Sequence, residues 1–346
     1  MLPDRNREAG GRHRPRRADL AVIIVSYNCA EWLPACLSSV YAHAGDARIE
    51  VVVVDNNSAD GSAELVEREF RTATVIRRPN HGFAAGNNAG LVAVDADYVL
   101  FLNADTEILD GTFGELLGLL EARPAVGLAG CRQVTADGDL YPTIRRFPTA
   151  LRYFCEAIGA ERLPFDASWL GERVRNQALY DREISCDWTL GSFMLARREA
   201  VLAAGGLDER YFLYCEEPDL CLRLKGLGWD VRHLPAMTIL HHAGKAGFSQ
   251  RLVAQDAYAR RQYMEKNMSP VQRRLALAAF AFGHLLRAGF LSADSARRHA
   301  RRSCARAAIG TLVGTLPPPF ATATADRPAD DGALGRPLAG SGLGGG

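Results

Sequence analysis

Glu216 and Glu217 stand side by side in the stretch YFLYCEEPDLCLRLKGLGWDVRHLPAMTILHHAG, residues 211–244, directly ahead of a helical pattern. Pro218 suits the first helical position, where its missing N–H costs nothing, and this predicts Glu217 at the N-cap. The positive end of the helix dipole favours a charged carboxylate there, and a general base must be charged to take a proton. Asp219, two residues on, is placed to hydrogen-bond locally and orient the loop. After a Gly-rich stop and an extended segment come His241 and His242, a pair suited to a cation or simply to a polar loop. An acidic helix start can also be no more than a solvated face, so the pair has to be weighed against the upstream half of the chain.

That half supplies a second set of polar groups. LAVIIVS (20–26) and IEVVVVD (49–55) are continuous β-branched runs, the pattern of strands covered on both faces. TVIRR (74–78) and YVLFLN (98–103) follow, with helical patterns at about 31–43, 61–70 and 83–94 between them. The alternation predicts an α/β fold with a mainly parallel sheet flanked by helices. Ser26-Tyr27-Asn28, Asp55-Asn56-Asn57, Asn80-His81 and Asn103-Ala104-Asp105 each follow the last apolar residue of a strand. In a parallel sheet these groups converge outside the carboxyl ends of the strands, where open α/β sheets bind ligands. A single such group would be ordinary turn chemistry; the succession predicts a binding crevice.

Several classes are disfavoured. The formal net charge is +1, which gives no basis for a nucleic-acid footprint. There is no GxxxxGK[ST] phosphate loop, and Gly82, Gly86 and Gly90 are spaced at four rather than as GxGxxG. That spacing reads more simply as a small helix face that packs closely on a sheet. The eight cysteines include no CxxC pair, so buried reduced thiols are expected rather than zinc or redox chemistry. No apolar stretch follows the Arg-rich N-terminus, and a cytosolic or cytosol-facing chain is expected.

Residues 1–19 read as a disordered arm, 20–130 as a nucleotide-binding half and 131–248 as a catalytic and acceptor half. Within the latter, 131–185 lacks a firm period and reads as an insertion or flexible region. Residues 249–316 read as C-terminal helices and 317–346, rich in Pro, Gly and Ala, as a disordered tail. LALAAFAFGHLL (275–286) is too short to span a bilayer. Arg273, Arg274 and Arg287 flank it, and Arg297, Arg298, Arg301, Arg302 and Arg306 follow. The pattern fits a helix lying on an anionic membrane surface, or one packed on its own domain.

In this order the motifs VIIVSYN (22–28), VVVDNNSADGS (52–62), NHGFAAGNNAG (80–90), FLNAD (101–105), DWTLGSFML (187–195), GGLDERYFLYCEEPDLCLRLKGLGW (205–229) and HH (241–242) resemble the inverting glycosyltransferases of family 2, in particular the rhamnosyltransferase-like group. The resemblance covers roughly residues 20–248 and implies the GT-A fold. It implies that Tyr27 packs on a nucleotide base with Ser26 nearby, and that Asp55 and Asn56 meet base and ribose. Asn80, Gly82, Phe83 and Asn88 would border the nucleotide and donor sugar. Asn103-Ala104-Asp105 takes the place of the family's DxD motif, which holds Mg²⁺ or Mn²⁺ against the donor diphosphate. With Asn at its first position, Asp105 is the expected metal contact, while Asn103 would ligate weakly or bond ribose. His241, preferred to His242, would complete the metal shell. Glu217 falls on the catalytic base, preceded by Glu216, with Asp219 in the same element. Trp188, Gly191 and Ser192 would line the acceptor side, although a core role for Trp188 is equally open.

The implied reaction is a single displacement at the anomeric carbon, with the acceptor hydroxyl deprotonated by Glu217. Deoxythymidine-diphosphate L-rhamnose is the implied donor, with UDP-sugars open, and the acceptor a glycan or lipid-linked oligosaccharide of a bacterial envelope polymer. Two other readings remain at this level. A sugar-phosphate nucleotidyltransferase would need a basic Gly-rich loop where SYNCAEWLP stands. A non-catalytic GT-A-like binding protein would be expected to lack the paired acids or Asp105.

Overall fold

The structure, a computed structural model, describes residues 17–160, 170–242, 250–289 and 295–320. Strands β1 (Ala18–Ser26), β2 (Ile49–Asp55), β3 (Thr74–Arg77) and β4 (Ala96–Asn103) alternate with helices α1 (Leu33–Ala42), α2 (Ser62–Glu69) and α3 (Phe83–Ala93). Then come β5 (Thr106–Asp110), α4 (Phe113–Glu121), β6 (Val126–Val134), α5 (Ala150–Ile158), β7 (Ile184–Ser185), β8 (Phe193–Arg197), α6 (Arg198–Ala203), α7 (Glu216–Gly226) and β9 (Asp230–His241). Helices α8 (Gln250–Asn267), α9 (Pro270–Gly289) and α10 (Ser295–Val313) complete the described chain.

The strands form one sheet of order β3-β2-β1-β4-β8-β6-β9-β5, with β7 paired to β9. Its first part is parallel, as the β-branched runs predict. Beyond β4 the sheet is mixed, because β8 enters antiparallel between β4 and β6. Alternate residues of β1 feed opposite cores: Leu20, Val22 and Ile24 pack with α1, α2 and α4, whereas Ala21 and Ile23 pack with α3, α6 and α7. The glycine face of α3 is what lets that helix sit so close. A Cβ at Gly90 would come within 2.4 Å of Ile23, and one at Gly86 within 2.9 Å of Val25.

The described parts of 131–185 carry more regular structure than their composition predicts. They continue β6 to Val134 and contain the amphipathic helix α5, a 3₁₀ turn at Gln177–Leu179 and β7. Ile144, Tyr153, Val174 and Tyr180 are buried against partners distant in sequence, which leaves little local period to read. Helices α8, α9 and α10 pack with α5 through Tyr153, Met264, Phe280 and Leu312. The sequence boundaries also need correction at both ends. Strand β1 begins at Ala18, inside the expected arm, and Phe320, inside the expected tail, is buried and stacked on Phe212 at 4.7 Å between ring centroids. Residues 1–16 and 321–346 lie outside the described residues.

Candidate active site

The strand register brings the polar strand ends level. Ser26 lies opposite Asp55, and Val25 opposite Asn103, along the carboxyl edge of β2, β1 and β4. Two turns are then locked together: the Asn28 side chain accepts from the Ala59 N–H at 2.8 Å, and the Asn28 N–H donates to Ser58 Oγ at 2.9 Å. Asp55 accepts the Ser58 N–H at 3.0 Å, and Asn56 donates to the Gly82 carbonyl at 3.1 Å. Ser26 Oγ, Asp55 Oδ1 and Asn56 Oδ1 are nonetheless buried without a hydrogen-bond partner. Leaving such groups unsatisfied is costly, and together they form a polar cradle at the edge where the fold binds ligands. Tyr27 stands beside it, half-buried.

Asn80 and Gly82 shape the next turn. The Gly82 N–H donates to Asn80 Oδ1 at 3.0 Å, and Gly82 has φ 97° with no room for a side chain, since a Cβ would lie 2.2 Å from the Phe212 carbonyl. That carbonyl accepts the Phe83 N–H at 2.7 Å. Asn88 is used differently from the expectation. Its amide bonds both the carbonyl and the N–H of Leu207, at 2.8 and 2.9 Å, and Glu209 at 2.9 Å. These bonds consume the side chain in fastening α3 to the turn that precedes α7.

At the end of β4, Asp105 faces His241 at the end of β9, with Oδ1 and Nε2 3.5 Å apart. Burial pushes the Asp105 carboxyl up, but the His241 hydrogen bond and charge prevail and hold it below the ordinary aspartate value. His241 is buried, its Nδ1 has no partner, and Tyr141 meets its ring edge-on at 5.5 Å. His242 is already engaged: its Nε2 lies 2.7 Å from Glu107, and its ring lies 4.5 Å from that of Trp32. Among the described residues no group of three or more His, Cys, Asp or Glu side chains converges to hold a metal. Asp105 and His241 therefore fit a hard cation that draws its remaining ligands from a diphosphate and water, the habit of Mg²⁺ and chemically similar ions.

The carboxylate end is built around α7. The helix starts two residues earlier than expected. Cys215, not Glu217, is the N-cap, and Glu216, Glu217 and Pro218 occupy the first turn. Pro218 is still tolerated there, because the first four N–H groups of a helix lack intrahelical partners. Tyr214 and Cys215 both adopt left-handed conformations, φ 72° and 69°. Such residues cost of order 1–3 kcal/mol each and persist only where the surroundings fix them. The two turns aim the glutamates inward.

Glu217 Oε1 accepts the Gly191 N–H at 3.1 Å, and a Cβ on Gly191 would approach that oxygen to 2.9 Å. The adjoining Ser192 carbonyl accepts the Asn103 N–H at 3.1 Å. The Gly191-Ser192 strip thus ties the Glu217 carboxylate to the strand end that carries Asp105. Burial raises the Glu217 carboxyl above the ordinary range, opposed by the Gly191 N–H and by the charges of Arg145 and Arg260. The helix dipole alone would have predicted the opposite direction. Glu216 is 2% exposed, Oε2 has no partner, and burial together with the Glu217 charge holds its carboxyl well above the usual range. Asp219 points elsewhere: fully buried, it binds Arg223 at 2.8 Å, Lys266 at 2.7 Å and Asn267 at 3.2 Å, which pins α7 to α8.

Ser192 is buried and donates to Gln133 Oε1 at 2.9 Å, leaving Gln133 Nε2 without a partner. Trp188, expected beside an acceptor, is 7% exposed, gives its indole N–H to the Arg146 carbonyl at 2.9 Å and belongs to the second core. Gln133 and Arg145 escaped the sequence reading because they lie where it found no period. All eight cysteines are free, and burial lifts the thiols of Cys29 and Cys36 to about 11 and about 12, which removes them as nucleophiles.

The sequence profile described as "Glycosyl transferase family 2" matches residues 21–187. The N-acetylglucosaminyl-diphospho-decaprenol L-rhamnosyltransferase of Mycobacterium tuberculosis is 30% identical over 235 residues, 64% of this chain and 76% of that protein. The chain belongs to glycosyl transferase family 2. Within the family it falls in the rhamnosyltransferase-like group: the rhamnosyltransferase WbbL of Escherichia coli is 26% identical over 64% of this chain and 83% of its own. The fold of this glycosyltransferase is also that of solved GT-A enzymes. The mannosyltransferase PcManGT of Pyrobaculum calidifontis, in complex with GDP-Man and Mn²⁺, is 20% identical with a TM-score of 0.50, over 88% of this chain and 78% of its own. GalNAc-T7 with UDP, GalNAc and Mn²⁺ is 14% identical with a TM-score of 0.56, over 84% of this chain and 55% of its own.

Proposed function

We propose that this glycosyltransferase moves L-rhamnose from a deoxythymidine diphosphate donor to a hydroxyl of a lipid-linked glycan in envelope polysaccharide synthesis, with inversion at the anomeric carbon. The single observation that carries the chemistry is Glu217, held by the Gly191 N–H one residue from the contact to Asn103. The names of the two rhamnosyltransferase relatives support the sugar, and the first of those names supports an acceptor carried on a lipid diphosphate.

Ser26, Tyr27, Asp55, Asn56 and Asn80 receive the nucleotide, and Gly82 with Phe83 closes the turn beside it. Asn103 and Asp105 face the donor diphosphate. Asp105 and His241 would hold Mg²⁺ or Mn²⁺, which when bound supplies charge compensation for the departing nucleoside diphosphate. Glu217 takes the proton of the acceptor hydroxyl as its oxygen attacks the anomeric carbon. The bond to the diphosphate oxygen breaks with its electron pair leaving on that oxygen. A carboxyl raised by burial is a stronger base than an ordinary glutamate and lies nearer the operating pH. Glu216 and Asp219 are positioning residues, the first a neutral neighbour and the second an anchor of α7. The test is to incubate purified protein with a panel of nucleotide sugars, Mn²⁺ and a short prenyl-diphosphate N-acetylglucosamine acceptor. Transfer from deoxythymidine-diphosphate rhamnose, with an anomer opposite to the donor's, is expected; efficient transfer of another sugar would reassign the donor.

A peripheral position on the cytosolic membrane face goes with a lipid-linked acceptor. No described helix is long and apolar enough to cross a membrane. On α9, Val271, Leu275, Phe282 and Leu285 are exposed, and on α5 so are Leu151, Phe154 and Ile158, with Phe154 and Phe282 stacked at 6.3 Å. Arg274, Arg302 and Arg306 are exposed as well, while the side chains of Arg287, Arg297, Arg298 and Arg301 lie outside the described residues. Basic residues near an anionic surface contribute about 1 kcal/mol each. The protein is expected to float with anionic liposomes at low salt and to detach as salt screens the charges; indifference to such vesicles would rule this placement out.

A further inference from the structure

Among the described residues, Arg145 is a buried cation with no ion-pair partner. It is 7% exposed, its Nε is buried without a partner, and its guanidinium makes no hydrogen bond or ion pair with any described residue. Its backbone fixes where it sits. Arg145 bridges Trp188 on one side and Arg173 on the other, both antiparallel. Its guanidinium lies over the Trp188 ring at 5.6 Å. Arg173, the cross-strand neighbour, is exposed and makes no hydrogen bond or ion pair with described residues either. Like charges directly opposite on a ladder are destabilising, and taking a lone charge out of water costs several kcal/mol.

The surroundings do not offset that cost. Glu172, whose charge reaches Arg145, is already held by Arg260 at 2.9 Å. The Arg145 charge also acts on Glu217, the carboxylate that accepts the Gly191 N–H. Arg146 and Arg152, next along the same segment, each bury an Nε without a partner too. A buried guanidinium with no ion-pair or hydrogen-bond partner among the described residues, stacked on Trp188 beside the Gly191-Ser192 strip's segment, is a site for an anion. The planar guanidinium fork matches phosphate oxygens, which it can bind in pairs.

We infer that Arg145, with Arg173 across the ladder, binds a diphosphate on the acceptor side of the crevice. Two ligands carry that chemistry, the nucleoside diphosphate of the donor and the prenyl diphosphate of a lipid-linked acceptor. The acceptor is the assignment here, because Arg145 is carried by the segment that leads into α5 and its exposed apolar face. The anion site stands on its own geometry; only this choice of ligand rests on the proposed transfer reaction.

Calorimetric titration of the full chain tests it without turnover, so that its failure is distinct from failure of the transfer reading. Inorganic pyrophosphate in EDTA should bind wild type, and Arg145→Gln should weaken it at least about tenfold, the order expected for loss of one charge-assisted contact. Arg173→Gln, at an exposed position that does not threaten folding, should weaken it by about threefold, and Arg145→Lys should fall between wild type and Arg145→Gln. Geranyl diphosphate in EDTA and a nucleoside diphosphate with Mn²⁺ separate the sources. Loss confined to geranyl diphosphate assigns the acceptor, whereas equal loss for the nucleoside diphosphate assigns the donor and overturns the choice made here. Pyrophosphate binding unchanged in Arg145→Gln, Arg173→Gln and Arg145→Lys would overturn the site itself.

Discussion

The strand-end edge of β1, β2 and β4 and the first turn of α7 both bring polar groups to one crevice, and they do so by opposite means. The first uses short side chains whose bonds run to backbone N–H and carbonyl groups of neighbouring turns, such as Asn28 to Ala59 and Asp55 to Ser58. Ser26 Oγ, Asp55 Oδ1 and Asn56 Oδ1 are left without partners there, and the Asp105 carboxyl is held downward. The second buries two carboxyl groups against each other behind two left-handed residues, and burial pushes both carboxyls upward. The strand-end edge is thus built from turns that lock one another, whereas the proposed proton acceptor is held away from its ordinary state. Perturbed groups of this kind cluster at reaction centres.

The comparison breaks most sharply at Glu217. Glu217→Gln keeps the size of the side chain and an acceptor for the Gly191 N–H but removes the base. Transfer is expected to fall at least about 100-fold, with donor binding unchanged. Retention of more than about a tenth of wild-type turnover in a steady-state assay would remove Glu217 from the reaction.

At the other edge, Asp105→Ala is expected to weaken nucleoside-diphosphate binding by about tenfold in Mn²⁺, the order of one lost charged contact, and to leave binding in EDTA nearly unchanged. Equal weakening in both buffers, read by calorimetry, would mean that Asp105 acts without a cation.

The smallest effect sharpens the role of the neutral glutamate. Because the folded-state carboxyl of Glu216 is raised, the folded protein holds this proton more tightly than the unfolded chain does. Its contribution to stability is therefore fullest below the ordinary glutamate value and is lost as pH rises toward the folded-state value. Glu216→Gln cannot ionise, so it should match wild type near about pH 4 and be more stable at neutral and alkaline pH. Urea midpoints across that range decide it: a variant less stable than wild type at neutral pH would mean that Glu216 is ionised and paired.

How far the sequence reached differs between the same two regions. The β-branched runs of β1 and β2 and the small face of α3 are local patterns, and their polar termini follow directly from parallel pairing. The sequence also placed Glu216 and Glu217 at a helix start, but the start itself was misplaced by two residues. Nothing in a non-Gly pair such as Tyr214-Cys215 announces left-handed backbone, since that conformation is imposed by packing. The resemblance implies Asn88 beside the donor, Asp219 reads as a local hydrogen-bonder and Trp188 as either acceptor wall or core; their partners, at Leu207, Lys266 and Arg146, are set by tertiary distances invisible in a linear pattern. The antiparallel entry of β8 and the twelve-residue β9, with Pro235 inside it, were obscured for the same reason.

Gly82 joins the two regions with no slack. A side chain there would drive into the Phe212 carbonyl, and the Phe83 N–H holds that carbonyl two residues ahead of the left-handed pair. The seam therefore fixes main chain against main chain between the proposed donor edge and the α7 loop. A hybrid enzyme that grafts the second half of another family member onto this first half would inherit its acceptor only if the incoming loop presents its backbone to residue 82 at the same height. Swapping specificity in this scaffold is thus a problem of matching two main chains before any substrate-facing side chain is chosen.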